Sequence, residues 1–243
     1  MLYVVGIGPG NKDNMTFEAK RVLEECEVIV GYKTYIDLVK DMIDDKEVVE
    51  NGMRGEIERV RSAIEIAKTG KKVAVISSGD AGVYAMAGLV LELLEEDIPV
   101  EIISGVTAST AAASILGAPL MHDFCHISLS DLMTPYELIK KRVELAGEGD
   151  FVICFYNPRS QGRKEYLREA FEILKKHKSK DTVVGLVKHA SREDQESFFY
   201  TLETMDFEKV DMSSIVIVGN ASTYLKNGRM ITKRGYENKE NFR

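Results

Sequence analysis

The chain opens with Met1-Leu-Tyr-Val-Val-Gly-Ile-Gly-Pro-Gly10, an apolar run that breaks at once into glycines and a proline. An apolar run of this length reads as a buried strand. Glycines at its carboxyl end let the backbone turn sharply and let a ligand approach without side-chain interference. The same form returns twice: Lys72-Val-Ala-Val-Ile-Ser77 runs into Ser78-Gly-Asp-Ala-Gly82, and Val100-Glu-Ile-Ile-Ser104 runs into Gly105-Val-Thr-Ala108. Helices are expected after these turns, over 16–25, 83–95 and 109–116. Glu27-Val-Ile-Val-Gly31 adds a short strand, and Ile57, Val60, Ile64 and Ala67 recur at helical spacing up to Gly70. Strand, turn and helix in series predict an α/β fold with a mostly parallel sheet, whose strand ends form one crevice.

Gly117-Ala-Pro119 reads as a hinge, and beyond it the texture changes. A helix is expected over 135–146 and a buried strand over Phe151-Val-Ile-Cys-Phe-Tyr156, which runs into Asn157-Pro-Arg-Ser160. An amphipathic helix follows over 163–177. Thr182-Val-Val-Gly-Leu-Val187 repeats the strand pattern into Lys188-His-Ala-Ser-Arg-Glu-Asp194, whereas 196–204 alternates like a half-exposed antiparallel strand. Ser214-Ile-Val-Ile-Val-Gly219 is the last core strand, and the polar tail after Tyr236 reads as loose. The expected organisation is two α/β domains, 1–118 with the mostly parallel sheet and 119–243 with a mixed one.

The 243 residues are 44% hydrophobic and 29% charged, the balance of an ordinary soluble globular protein. Apolar runs stay well short of the roughly 18 residues of a membrane span, and no charged region precedes the apolar N-terminus. A cytoplasmic protein is expected, without a membrane partner. Lys and Arg number 32 against 39 Asp and Glu, a net charge of −7, which argues against nucleic acid held by its phosphates. Cys26, Cys125 and Cys154 lie far apart, and His122 and His126 fall in a strand or loop, so no metal site is expected.

The opening departs from the dinucleotide fingerprint G-x-G-x-x-G. Its spacing is G-x-G-x-G, Pro9 removes a backbone N–H, and Asn11 to Asn14 separates the glycines from the helix. Asp80, between a strand end and a helix start, suits either a helix cap or the hydroxyls or amine of a ligand. Tyr32-Lys-Thr-Tyr-Ile36 is an aromatic and basic stretch beside a strand end, suited to face a ligand or to pack a loop.

Taken together, Val5-Gly-Ile-Gly-Pro-Gly10, Ser78-Gly-Asp-Ala-Gly-Val-Tyr84, Ser104-Gly-Val-Thr-Ala108 and Val187-Lys-His-Ala-Ser-Arg-Glu-Asp-Gln195 resemble the tetrapyrrole methylases, an S-adenosylmethionine-dependent family. Gly31-Tyr-Lys-Thr-Tyr-Ile-Asp37, Ile127-Ser-Leu-Ser-Asp-Leu-Met-Thr-Pro135 and Phe155-Tyr-Asn-Pro-Arg-Ser160 are similar to the branch that methylates carbon 17 of precorrin-3B or cobalt-factor III in cobalamin biosynthesis. The resemblance covers almost the whole chain. One departure is Ala81, where many relatives have proline after the Gly-Asp pair.

The resemblance implies a homodimer of two-domain subunits. S-adenosyl-L-methionine would lie between the domains, lined by Pro9, Gly79, Asp80, Val83, Thr107, Ala108, Tyr156 and Ala190. A tetrapyrrole, rich in carboxylates, would meet Gly8, Tyr32 and Ser130 and a basic rim drawn from Arg54, Arg159 and Arg163. The cofactor's methyl is already activated, so no protein nucleophile is required. The resemblance further implies ring contraction coupled to methylation, for which Asp131 is the candidate acid or base, with a turn cap as its structural alternative. His189 is a second candidate that titrates near neutral pH. Competing readings are another tetrapyrrole methylase, a diphthine synthase-like methyltransferase, and a regulatory module that binds S-adenosylmethionine without turnover.

Overall fold

The structure is a computed structural model and describes residues 1–52, 55–95 and 97–236. It divides into two compact units, Met1–Ala108 and Ser109–Arg243. The expected organisation into two α/β domains is present, with the division ten residues before the sequence-based boundary at 118.

In the first unit, β1 (Leu2–Gly6), β2 (Val28–Tyr32), β3 (Glu47–Asn51), β4 (Val73–Ser77) and β5 (Val100–Ile103) form one sheet in the order β3-β2-β4-β1-β5. Every pairing in it is parallel. Helices α1 (Phe17–Glu25), α2 (Lys33–Val39), α3 (Glu56–Lys68) and α4 (Ala87–Leu93) connect the strands. Alternation divides the apolar side chains between two faces. Leu2, Val4, Val28, Val30, Val73 and Val75 pack with α3 and α4, while Val5, Ile29, Ala74 and Ile76 pack with α1 and α2. Central strands β1 and β4 are buried throughout, as a parallel sheet covered by helices requires.

The second unit begins with α5 (Ala108–Leu116), then β6 (Gly117–Ala118), β7 (Phe124–Ser128), α6 (Tyr136–Glu148), β8 (Val152–Tyr156), α7 (Tyr166–Leu174), β9 (Val183–Lys188), β10 (Glu196–Thr201) and β11 (Ser214–Val218). The main sheet runs β10-β9-β11-β8-β7, with β7 and β8 parallel and the other neighbours antiparallel, the expected mixed sheet. A small sheet joins β6 to the hairpin of β12 (Thr223–Lys226) and β13 (Arg229–Thr232).

Gly117-Ala118 is therefore a paired strand of the second unit and not a hinge. Helix α5 is fastened to the same unit. Ser109 N–H donates to the Tyr156 hydroxyl at 3.0 Å, Ser109 Oγ meets His126 Nε2 at 2.8 Å, and Leu116 packs where a Cβ on Gly185 would stand, 2.4 Å away. No helix among the described residues is long and apolar enough to cross a membrane.

Candidate functional site

Three of the glycine turns meet at the carboxyl edge of the parallel sheet. A Cβ on Gly6 would stand 2.7 Å from the Gly79 carbonyl oxygen and 2.8 Å from Gly105 N, and one on Gly105 would stand 2.2 Å from that same oxygen. The turns after β1, β4 and β5 thus touch backbone to backbone, which only residues without side chains permit. Gly8 and Gly79 exchange both backbone hydrogen bonds, at 3.0 and 2.7 Å, each with positive φ (79° and 73°). Gly79 also approaches the end of its own unit: a Cβ there would lie 3.6 Å from Ala108 N and 3.8 Å from Thr107 Cα. The structure brings Gly8, Gly79, Thr107 and Ala108 close to one another, with Asp80 next to Gly79 in the same turn. The buried Pro9 follows in the first turn, and Val83 lies on the turn after β4.

Asp80 holds this arrangement. Its Oδ1 accepts from Gly82 N–H at 2.8 Å and its Oδ2 from Gly105 N–H at 3.0 Å, so one carboxylate ties the turn after β4 to the turn after β5. The capping role considered for Asp80 does not occur, because α4 starts at Ala87 and not near Val83. The intervening residues form an irregular turn in which Tyr84 has a φ of 53° and is exposed.

Tyr32 ends β2, its ring edge-on to Tyr35 with centroids 5.3 Å apart. Beside it lies Arg59, a buried guanidinium on α3 that sequence reasoning missed. Its place in an amphipathic helix gave no signal, since long polar residues flank the apolar stripe of any such helix. Arg54 lies outside the described residues.

The second unit carries the other candidates. Tyr156, at the end of β8, receives the Ser109 N–H and lies edge-on to the His126 ring, 5.3 Å away. Burial lowers the His126 pKa, so the neutral imidazole that bonds Ser109 is favoured. Ser109 and His126 were not foreseen as partners, being 17 residues apart on α5 and β7. Ala190 is buried between two residues in left-handed backbone, His189 (φ 48°) and Ser191 (φ 61°). His189 Nδ1 meets Asp194 Oδ2 at 2.5 Å, and its Nε2 lies 3.9 Å from Asp211.

The loop after β7 is pinned locally. Ser128 Oγ accepts from Ser130 N–H at 3.2 Å and from Asn157 Nδ2 at 3.0 Å. Asp131 is not a turn cap in this structure. Its Oδ2 accepts from the Tyr166 hydroxyl at 2.8 Å and its Oδ1 pairs with Arg163 Nη1 at 3.5 Å. The Asp131 carboxylate in turn raises the Tyr166 pKa. Tyr166 stacks on Tyr136, with ring centroids 3.8 Å apart. Arg159 bonds the Phe207 carbonyl at 2.6 Å and Glu208 at 2.9 Å, and this contact holds the Glu208 carboxyl below its ordinary pKa. Two of the arginines expected on the rim, Arg159 and Arg163, thus already face carboxylates within their own unit.

This structure holds the side-chain-free backbone that a nucleoside–amino acid cofactor needs. An added Cβ on Gly6 or Gly105 would collide with neighbouring backbone, Gly79 holds a positive φ, and Asp80 ties the turns together.

Comparison with known proteins gives a consistent set of likenesses. The family model described as Tetrapyrrole (Corrin/Porphyrin) Methylases matches residues 1–206. A "Probable cobalt-factor III C(17)-methyltransferase" of Salmonella typhimurium is 59% identical over 97% of this chain and 99% of its own length. The crystal structure of the methyltransferase CobJ superposes with a TM-score of 0.91 at 36% identity, covering 96% of this chain and 99% of that one. The crystal structure of uroporphyrin-III C-methyl transferase from Thermus thermophilus, complexed with S-adenyl homocysteine, shares the fold. Its TM-score is 0.70 at 24% identity, covering 90% of this chain and 91% of that one.

Proposed function

The chain belongs to the tetrapyrrole methylases, and from that premise we propose that it transfers a methyl group from S-adenosyl-L-methionine to carbon 17 of cobalt-factor III, in cobalamin biosynthesis. The observation that carries this reading is the 59% identity, end to end, with the Salmonella typhimurium relative of that name. The glycine turns of the first unit support it from the geometry.

When bound, S-adenosylmethionine supplies a methyl group on positive sulfur, an electrophile that needs no further activation. The chain's own residues position the partners and exclude water. In the first unit, Gly79, Thr107 and Ala108 offer backbone to the cofactor. The carboxylate of Asp80 keeps two free lone pairs beyond its bonds to Gly82 and Gly105, so it accepts from the ligand's hydroxyls or amine. In the second unit, Tyr156 and Ala190 line the cofactor, each on backbone fixed by its neighbours. Tyr32 and Gly8 of the first unit, and Ser130 of the second, meet the pigment.

Ring contraction accompanies methylation in this reading and calls for a proton acceptor. Asp131 is assigned that task through Oδ1, whose contact to Arg163 is the longer of its two. Tyr166 then holds the carboxylate in one orientation through Oδ2. The subunit works as a homodimer in the cytoplasm, where Cys26, Cys125 and Cys154 remain free thiols.

Anaerobic incubation with labelled S-adenosylmethionine, offered cobalt-factor III and precorrin-3B separately, tests the assignment. Label transferred to cobalt-factor III supports it. Label transferred only to precorrin-3B assigns the cobalt-free route, and label in neither moves another methylase of the family ahead. Light scattering of the eluted protein reads the dimer.

A further inference from the structure

Arg59 is 5% exposed, and among the described residues no carboxylate pairs with it. Its Nε–H donates to Asn51 Oδ1 at 2.8 Å and Nη2 donates to the Gly52 carbonyl at 3.2 Å, while Nη1 faces only the Met86 sulfur, at 4.0 Å, among the described residues. The Tyr32 ring lies under the guanidinium, 6.0 Å away. Three neutral contacts and a ring leave N–H donors unused on a charge withdrawn from water. Such a charge is costly unless an anion meets it.

The place of this charge is informative. Tyr32 pairs with Asn51 and Gly6 pairs with Ser77 across the sheet, and Tyr32 and Ser77 each follow by two residues the paired Val30 and Val75. Asn51, Tyr32, Ser77 and Gly6 therefore form one row at the carboxyl edge, on the face that packs against α3 and α4. In that row the Ser77 hydroxyl is buried and has no hydrogen-bond partner among the described residues. Among the described residues, a buried cation without an anion and a buried hydroxyl without a partner thus stand at the edge where parallel sheets bind ligands.

We infer that Arg59 is a substrate-binding residue that takes one peripheral carboxylate of the tetrapyrrole, a role that rests on the proposed function. Met86 guards the open donor. A thioether is a weak acceptor on a flexible side chain, and a carboxylate oxygen displaces it with a charge-assisted bond at about 2.7–2.9 Å. Asn51 and Gly52 hold the guanidinium plane, so the free edge is presented in a fixed direction. Arg159 and Arg163 have carboxylates already, whereas Arg59, the buried cation of the first unit, has none among the described residues.

The test is a titration of the S-adenosylhomocysteine-loaded protein with cobalt-factor III, and with uroporphyrin as a second polycarboxylate, for wild type, Arg59→Gln and Arg59→Lys. Absorbance reads pigment binding, and calorimetry reads S-adenosylhomocysteine binding. Pigment affinity is expected to fall about 10- to 100-fold in Arg59→Gln, in keeping with the loss of a hydrogen-bonded charge pair. Arg59→Lys should recover part of it, while the S-adenosylhomocysteine affinity of both variants stays within about twofold. Pigment binding unchanged in both variants, alongside a lowered melting temperature, would reduce Arg59 to a staple of Asn51 and Gly52 and overturn the inference. So would a wild-type protein that binds neither pigment. Pigment binding that depends on Arg59 but yields no methylated product leaves the inference standing and sinks the proposed function instead.

Discussion

The Asp80 carboxylate reaches across 25 residues to accept the Gly105 backbone N–H at 3.0 Å, joining the turns that follow β4 and β5. With Oδ1 on Gly82, both oxygens are anchored to backbone, and the two turns are tied to each other by protein groups alone. Preorganised backbone of this kind lowers the entropy lost on binding. Asp80→Ala strands two N–H groups, at a cost of about 1–3 kcal/mol each if they stay dry. The expected result is a lower melting temperature and S-adenosylhomocysteine affinity weakened by more than about tenfold, a factor worth about 1.4 kcal/mol. Calorimetry on the purified variant checks both, and unchanged affinity would show that the clamp is irrelevant to the cofactor.

Glycine substitutions separate crowded positions from open ones. Gly105→Ala drives a methyl to 2.2 Å from the Gly79 carbonyl and 2.5 Å from that of Gly6, backbone atoms that cannot yield singly. It should fall at or beyond the upper end of the ~1–3 kcal/mol typical of overpacking. Gly88, exposed in α4 with nothing within 4 Å of an added Cβ, behaves in the opposite way. Gly88→Ala should stabilise by about 0.5–1 kcal/mol through helix propensity. Urea unfolding of the pair measures the contrast, and equal effects would contradict the backbone contact of the three turns.

That contact was readable in outline. Strands β1 and β4 are buried apolar runs that lead into glycine turns, and a buried parallel strand has few other ways to be written, while the edge strand β5 is signalled by its three apolar residues and Gly105. Strand β3 was missed because it is an edge strand in which Glu47 and Glu50 break the apolar pattern. The hairpin of β12 and β13 was missed although Asn227-Gly228, both with positive φ, is a strong hairpin signal. The late start of α4 was not legible, because nothing local announces the turn that Asp80 shapes. Side-chain pairing was the least legible layer. Arg159 finds Glu208 49 residues away and Arg163 finds Asp131 32 away, so arginines read as open for ligand are already matched.

Asp131 tests the division between methyl transfer and ring contraction. Asp131→Asn keeps the shape and can still accept from Tyr166, but loses the basic oxygen. It should lower the rate of contracted product by about 100-fold or more, the usual weight of a general base. S-adenosylhomocysteine affinity should hold. Tyr166→Phe leaves the base in place without its orienting bond and should cost less. Mass spectrometry of the pigment, resolved in time, reads each step. Full activity of Asp131→Asn would leave the residue a clamp between its loop and α7.

The pH dependence of stability should carry a signature of His126. Its folded pKa is lowered by burial, so the unfolded state binds the proton more readily. Stability is therefore full above the unfolded value, near 6.5 for an ordinary histidine, and declines as the pH falls from there toward the lower folded value. Exposed carboxylates with lowered pKa, such as Glu203 and Glu208, act further down the scale. Urea midpoints at pH 7.5 and 5.5 should converge in His126→Gln relative to wild type. An unaltered gap would place the acid sensitivity elsewhere.

The central claim, methyl transfer to carbon 17, meets its most direct test in the position of one carbon atom. Cobalt-factor III incubated anaerobically with the protein and S-adenosylmethionine labelled with carbon-13 in its methyl group should yield a pigment with a single labelled methyl. Its NMR correlations should place that methyl at carbon 17. A labelled methyl at any other carbon, or a pigment returned unlabelled by protein that binds S-adenosylhomocysteine, would contradict the assignment.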